Sequence, residues 1–150
     1  MVKMLSSCQN VHTQKQVRIL FYDGTCGLCT RSIRFLIKVD RRNRIKYAPL
    51  NGSTSDKKLP KELRDPSNLS TVVYLKEDSG KSSLHTRSDA VCAILKEVGG
   101  IWLIVGKLLR IIPLFLREGA YRLIAKYRYL LSPVGACQLL KQEEKELFLD

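Results

Sequence analysis

The stretch VRILFYDGTCGLCT, residues 17–30, constrains the fold more than any other part of the 150-residue chain. Its first six residues form a nearly continuous apolar run, which predicts a buried β-strand over Val17–Tyr22, and Asp23-Gly24 supplies the turn that ends it. From Cys26 onwards the apolar residues recur with a helical period, so a helix of about four turns is expected with both cysteines in its first turn. This order predicts an α/β protein.

Three kinds of chemistry fit an aspartate and two cysteines in such a loop. A haloacid-dehalogenase-like phosphatase needs a nucleophilic aspartate two residues before its acid, and Phe21 stands there if Asp23 is the acid. Structural zinc takes four ligands, usually as two pairs, and C-x-x-C supplies one pair. The remaining cysteines and histidines are isolated in the sequence: Cys8, His12, His85, Cys92 and Cys137. Phe21 excludes the phosphatase, while a zinc or iron–sulfur site stays an alternative and no bound metal is expected.

The favoured hypothesis is a redox dithiol. A thiol at the start of a helix meets unpaired backbone N–H groups and the positive end of the helix dipole, and both favour its thiolate. Cys26 is placed to attack a substrate disulfide, and Cys29, two residues further on, to resolve the mixed disulfide. Asp23 is either a turn residue or a carboxylate that exchanges a proton with Cys29.

The remainder of the chain continues the α/β pattern. Further elements are predicted as follows: strands at Ile45–Leu50, Thr71–Lys76 and Ser82–Thr86, a short helix at Lys57–Arg64, and a helix capped by Ser88 whose apolar stripe ends before Gly99. Because a strand–helix–strand crossover is right-handed, the first two strands should be parallel neighbours. Cys92 is expected to be a small buried hydrophobe, and Cys137 could be a third thiol near the site.

The segment Ile101–Leu116 is the most apolar part of the sequence. Lys107, Arg110 and Pro113 interrupt it, and it is shorter than a membrane span, so helices packed on the core are predicted, with an interfacial membrane segment as the alternative. A last helix is expected over Glu118–Leu131, in which Tyr127, Arg128 and Tyr129 serve packing.

Positive charge is concentrated in the first half of the chain. The net charge is +12, and residues 1–75 hold 14 Lys and Arg against 5 Asp and Glu. The stretch Arg31–Lys46 could attract an anionic partner, or be a solvated helix face. Nucleic acid is not expected because Phe35 is the only aromatic residue in the basic helix, although a basic binding module remains the rival class.

Residues 1–16 lack a signal-peptide core, which predicts a disordered leader and a cytoplasmic protein. One domain is expected over 17–140 and a charged tail over 141–150.

The run FYDGTCGLC, Asp-x-x-Cys-x-x-Cys after an apolar strand, resembles the thiol-disulfide oxidoreductase DCC family, and the likeness continues through FLIKVDRRNRIKYAPLN, TRSDAVCAIL and IIPLFLREGAYRLIAKYRYLL. The resemblance implies a thioredoxin-like fold: a central four-stranded mixed sheet flanked by helices, with extra C-terminal helices. It also implies disulfide exchange with a thiol- or disulfide-bearing protein or small molecule, without a cofactor beyond the Cys26–Cys29 disulfide, and it favours a functional Asp23. Where thioredoxins place a cis-proline, this chain has Ser70 or Thr71, which with Arg31 are candidate substrate-binding residues.

Overall fold

Four strands form one mixed sheet in the order β2-β1-β3-β4. The strands are β1 (Val17–Tyr22), β2 (Lys46–Pro49), β3 (Val73–Asp78) and β4 (Lys81–Thr86). β1 pairs parallel with β2 and antiparallel with β3, and β3 pairs antiparallel with β4. The predicted four-stranded mixed sheet is confirmed, as is the parallel pairing of the first two strands. The computed structural model describes residues 16–64, 72–131 and 146–149.

Six helices accompany the sheet within the described ranges. They are α1 (Gly27–Val39), α2 (Ser53–Lys58), α3 (Lys61–Arg64), α4 (Arg87–Val98), α5 (Ile101–Ile111) and α6 (Leu114–Leu131). The single helix predicted at Lys57–Arg64 is wrong, because Pro60 forces Leu59 into an extended conformation and separates α2 from α3. α6 begins four residues earlier than predicted, directly after Pro113, whose carbonyl accepts the first helical hydrogen bonds.

The side chains of the sheet alternate between two apolar cores. Leu20 of β1 packs with Ile33 of α1 and Ile94 of α4 on one face, whereas Phe21 packs with Leu59 on the other face. A strand buried on both faces needs a nearly continuous apolar sequence, which β1 has. This sandwiching by helices places the end of β1, and therefore the dithiol loop, against α1 and α4.

The last described residues return to the sheet. Leu147 is buried in the core, and Phe148 forms an isolated parallel bridge with Tyr47 of β2. The segment assigned to a charged tail, 141–150, thus supplies apolar side chains to the core. Ser70, Thr71, Cys8, His12 and Cys137 lie outside the described residues.

Helix α5 packs on α4 through its one glycine. A Cβ built on Gly106 would lie 3.1 Å from the carbonyl oxygen of Cys92 and 3.1 Å from the Cβ of Leu95, so a side chain at this position would push the two helices apart. The opposite face of α5 exposes Ile104 and Leu108. The prediction that Ile101–Leu116 packs on the core is therefore wrong for that face, because a short helix on the outside of α4 has only one side to bury.

Candidate dithiol site

The two cysteines lie where β1 ends and α1 begins. Cys26 is the N-cap residue of α1, its N–H donates to the carbonyl of Asp23 at 3.2 Å, and its own carbonyl accepts from Thr30. Only 1% of Cys26 is exposed, whereas Cys29, in the first turn, is half-buried. Both are free thiols. The sequence therefore placed the pair at the correct junction, and the structure distinguishes a buried sulfur from a more accessible one.

The Cys29 thiol holds its proton strongly. Burial is the largest cause, and together with the neighbouring Cys26 it raises the pKa of Cys29 from 9.0 to about 12. A hydrogen bond between the two side chains adds to the rise in pKa, because it holds the proton on Cys29. Arg128 lowers the pKa of Cys29 and Asp23 raises it, so both charged groups act on this sulfur.

Asp23 is a buried carboxylate with partners on both oxygens. The backbone N–H and the hydroxyl of Thr25 donate to Oδ1 at 2.9 and 2.7 Å, as in a turn stabilised by an aspartate. Oδ2 lies 3.1 Å from Nη2 of Arg128. Asp23 thus forms the turn that one interpretation of the sequence predicted, and it also takes part in a buried ion pair that no sequence pattern indicated.

Helix α6 supplies the other half of the site. Arg128 reaches Asp23, and the hydroxyl of Tyr121 accepts a hydrogen bond from the backbone N–H of Val72 at 3.1 Å. Val72 directly follows the position that the resemblance assigned to substrate pairing, and its carbonyl accepts from Arg87. Both backbone groups of Val72 are therefore used within the protein.

The start of α6 is held by a polar cluster on α4. Ser88 is buried, donates to the Glu118 carboxylate and accepts from Nε of Arg117 at 3.1 Å, while Arg117 also pairs with Asp89. The prediction that Ser88 caps α4 is wrong: the helix starts at Arg87, and Ser88 points towards α6 instead. These contacts fix α6 across the end of the sheet.

An apolar pocket of about 510 Å³ opens beside Cys29. Leu20 and Tyr22 of β1, Ile33 and Leu36 of α1, Ile94 of α4 and Ile124 of α6 contribute to its walls. Cys29, Arg31 and Arg128 are among its few polar lining residues. Of the predicted substrate-binding residues, Arg31 lies at this pocket, while Ser70 and Thr71 are outside the described residues.

The sequence interpretation missed Arg128 and Tyr121. Arg128 was assigned to packing within the last helix, yet it is 7% exposed and forms an ion pair with the signature aspartate. The only available signal was that a buried aspartate needs a cation, and the basic composition offers many candidates.

Phe35 lies near the pocket, where it is partly exposed and contacts Trp102 edge-to-face at 4.9 Å.

Neither a metal cluster nor a membrane span is found in the described parts of the chain. No three His, Cys, Asp or Glu side chains come together there as a metal site requires. No described helix is long and apolar enough to cross a bilayer.

A C-x-x-C pair at the strand-to-helix junction of a four-stranded mixed sheet defines a thioredoxin-like dithiol protein. The chain belongs to the DCC1-like thiol-disulfide oxidoreductase family, whose model matches residues 20–133. It is 29% identical to a DCC family protein of Arabidopsis thaliana described as chloroplastic, over 81% of this chain and 69% of that protein. It is 27% identical to the uncharacterized protein YuxK of Bacillus subtilis, over 91% of this chain and 98% of that protein. No solved structure matches the chain. A cytoplasmic location stays a prediction.

Proposed function

We propose that this protein is an enzyme that exchanges disulfides through Cys26 and Cys29. The observation that carries the proposal is the pairing of a helix-start cysteine, Cys26, with a second thiol, Cys29, whose pKa is raised by burial and by the neighbouring Cys26. Family membership supports the same class of reaction. The substrate would be a protein or small molecule that carries a thiol or a disulfide.

The proposed reaction has two displacement steps. The Cys26 thiolate attacks a substrate disulfide, which forms a mixed disulfide and releases one substrate thiolate. Cys29 then loses its proton and attacks the Cys26 sulfur, which forms the Cys26–Cys29 disulfide and releases the second substrate thiolate. Two electrons pass to the substrate, the released thiolates take up protons, and the reverse sequence oxidises a substrate dithiol.

The high pKa of Cys29 supports this order of attack. A thiol with a pKa of about 12 is almost wholly protonated at neutral pH, and only the thiolate is nucleophilic. The first attack therefore falls to Cys26. Because Cys26 is buried, the substrate reaches it by a local opening of the site, and Cys29 at the pocket is the first sulfur that it meets.

Asp23 and Arg128 are proposed to assist Cys29 in the second step. The Arg128 cation favours the Cys29 thiolate, because it lowers the pKa of that group. The Asp23 carboxylate is the proposed acceptor of the Cys29 proton. Because protonation neutralises the carboxylate, it would weaken the ion pair between Asp23 and Arg128.

The test is a redox titration of the full chain against glutathione, read by the mass added on alkylation of each cysteine-containing peptide. A single couple is expected, lost in Cys26→Ser and in Cys29→Ser but retained in the control Cys92→Ser, whose cysteine is buried under α5. Cys29→Ser should also accumulate a mixed disulfide at Cys26, because resolution is blocked. If no couple titrates, the proposal is wrong. If Cys26→Ser accumulates the mixed disulfide instead, the roles of the two cysteines are reversed.

A further inference from the structure

An exposed apolar corner joins α5 to α6. Five large side chains there, within six consecutive residues, are turned to solvent, and these are Ile111, Ile112, Leu114, Phe115 and Leu116. Ile111 is 77% exposed and Phe115 is 72% exposed. We call these five residues the apolar corner. Soluble surfaces rarely gather so many apolar side chains at one place, and such patches mark interaction sites.

Helix α5 carries apolar side chains on its outer side as well as on the side that packs against α4. Its buried side carries Gly106 against α4, whereas Ile104 and Leu108 lie on the side facing away from the protein. A surface helix of a globular protein normally turns its apolar stripe inwards. The outward stripe of α5 leads directly into the apolar corner, so the two form one surface.

Cations surround this surface, and within the described residues of α5 and α6 no acidic side chain is available to them. Residues 101–131 contain six Lys and Arg but a single acid, Glu118, which is engaged by Ser88 and Arg87. Two of the cations, Arg117 and Arg128, are held in ion pairs. The other four are exposed and form no ion pair with a described residue: Lys107, Arg110, Arg122 and Lys126.

We propose that the apolar corner docks on the surface of an anionic lipid membrane. Its side chains would enter the boundary between headgroups and acyl chains. Lys107, one turn before the corner, and Arg110, directly before it, would contact anionic headgroups. A second copy of the chain fits less well, because a two-fold contact through this corner would place the same cations against one another. The proposal is independent of the redox chemistry.

The test is co-sedimentation of the full chain with vesicles of phosphatidylcholine, with and without phosphatidylglycerol. Binding is expected only to the anionic vesicles and should weaken as salt is added. Phe115→Ser should weaken the partition at least about tenfold, since a large apolar side chain no longer leaves water. The pair Lys107→Glu and Arg110→Glu should weaken the partition by about fivefold for each cation removed. Repulsion between the new glutamates and the anionic headgroups should weaken it further.

Two control variants make the same chemical changes elsewhere. Leu84→Ser removes an exposed apolar side chain from β4, and the pair Arg41→Glu and Arg42→Glu changes the net charge equally. Both should bind like the parent chain. Absence of binding to anionic vesicles, or equal weakening by the Arg41 and Arg42 pair, would overturn the proposal. So would a dimer, seen by light scattering, that Phe115→Ser converts to a monomer, since a second copy would then cover the corner.

Discussion

The carboxylate of Asp23 lies 3.1 Å from the guanidinium of Arg128, and both side chains are buried. Asp23 ends the first strand and Arg128 stands near the end of the last described helix. The pair therefore fastens α6 over the dithiol loop, and it places one positive and one negative charge beside the Cys29 sulfur.

Arg128→Met is expected to destabilise the fold strongly. It leaves the Asp23 carboxylate buried without its counter-ion, which typically costs about 3–5 kcal/mol. Urea unfolding measures the loss, and Arg122→Met, an exposed position on the same helix, should change the free energy of unfolding by less than about 0.5 kcal/mol. Adding Asp23→Asn to Arg128→Met should recover part of the loss. Equal stability of the two Met variants would show that the ion pair contributes nothing.

The reactivity of Cys29 should depend steeply on pH. Its pKa of about 12 predicts that alkylation by iodoacetamide accelerates about tenfold for each unit of pH between neutrality and that pKa. Fragment-ion mass spectrometry of the peptide that holds both Cys26 and Cys29 distinguishes the alkylation of Cys29 from that of Cys26. Arg128→Met should slow the reaction, because the cation that lowers the pKa of Cys29 is gone. A rate that levels off near neutral pH would contradict the high pKa.

Alkaline pH should destabilise the protein through the same group. The unfolded chain releases the Cys29 proton near pH 9.0, whereas the folded chain keeps it until about pH 12. The folded state thus binds more protons than the unfolded state in that window. The contribution of Cys29 to the free energy of unfolding is therefore fully present below pH 9 and falls by about 1.4 kcal/mol per pH unit above it. Burial also raises the pKa of Tyr22 and of Tyr121, which adds to the loss at higher pH. Cys29→Ser should show a shallower fall, measured by urea unfolding across this range.

The contact between Ser88 and Glu118 should behave as a coupled pair. Ser88→Ala removes a buried hydroxyl with two partners and is expected to cost about 1–3 kcal/mol. In a double-mutant cycle with Glu118→Ala, the two effects should not add, because each variant removes the same contact. Ser83→Ala, on the exposed strand β4, is the matched control. If the two losses in the free energy of unfolding add strictly, Ser88 does not hold α6 through Glu118.

Two helix glycines should respond in opposite directions to alanine. Gly106→Ala places a methyl group 3.1 Å from the Cys92 carbonyl, and the displacement of α5 should cost about 1–3 kcal/mol. Gly119→Ala meets no atom within 4 Å and lies inside α6, so it should stabilise by about 0.5–1 kcal/mol through helix propensity. Thermal unfolding of the two variants compares them directly. A stabilised Gly106→Ala would show that α5 does not need the close contact.

The sequence predicted best where the determinants are local. Val17–Tyr22 was placed with its observed bounds because a nearly continuous apolar run followed by Asp-Gly has one reasonable structure. The cysteines at the start of α1 followed from the same stretch. The parallel pairing of the first two strands followed from element order together with the handedness of the crossover, and the complete mixed sheet from the family resemblance.

The errors arose where distant parts of the chain meet. Arg128 and Asp23 are more than a hundred residues apart, so no periodicity relates them. Ser88 has the side chain of a helix cap, yet its hydroxyl is used by Glu118 from another helix. The segment Ile101–Leu116 was predicted to pack on the core because it is so apolar. Burial depends on what lies opposite in three dimensions, and for Phe115 in the described structure that is solvent.

The sequence separation between Asp23 and Arg128 has a consequence for biosynthesis. Asp23, Cys26 and Cys29 leave the ribosome long before the helix that covers them. Until Arg128 is translated, the nascent chain carries an unpaired carboxylate and two thiols that no helix shields. Protection of the dithiol from unwanted oxidation therefore depends on residues that are translated about a hundred positions later.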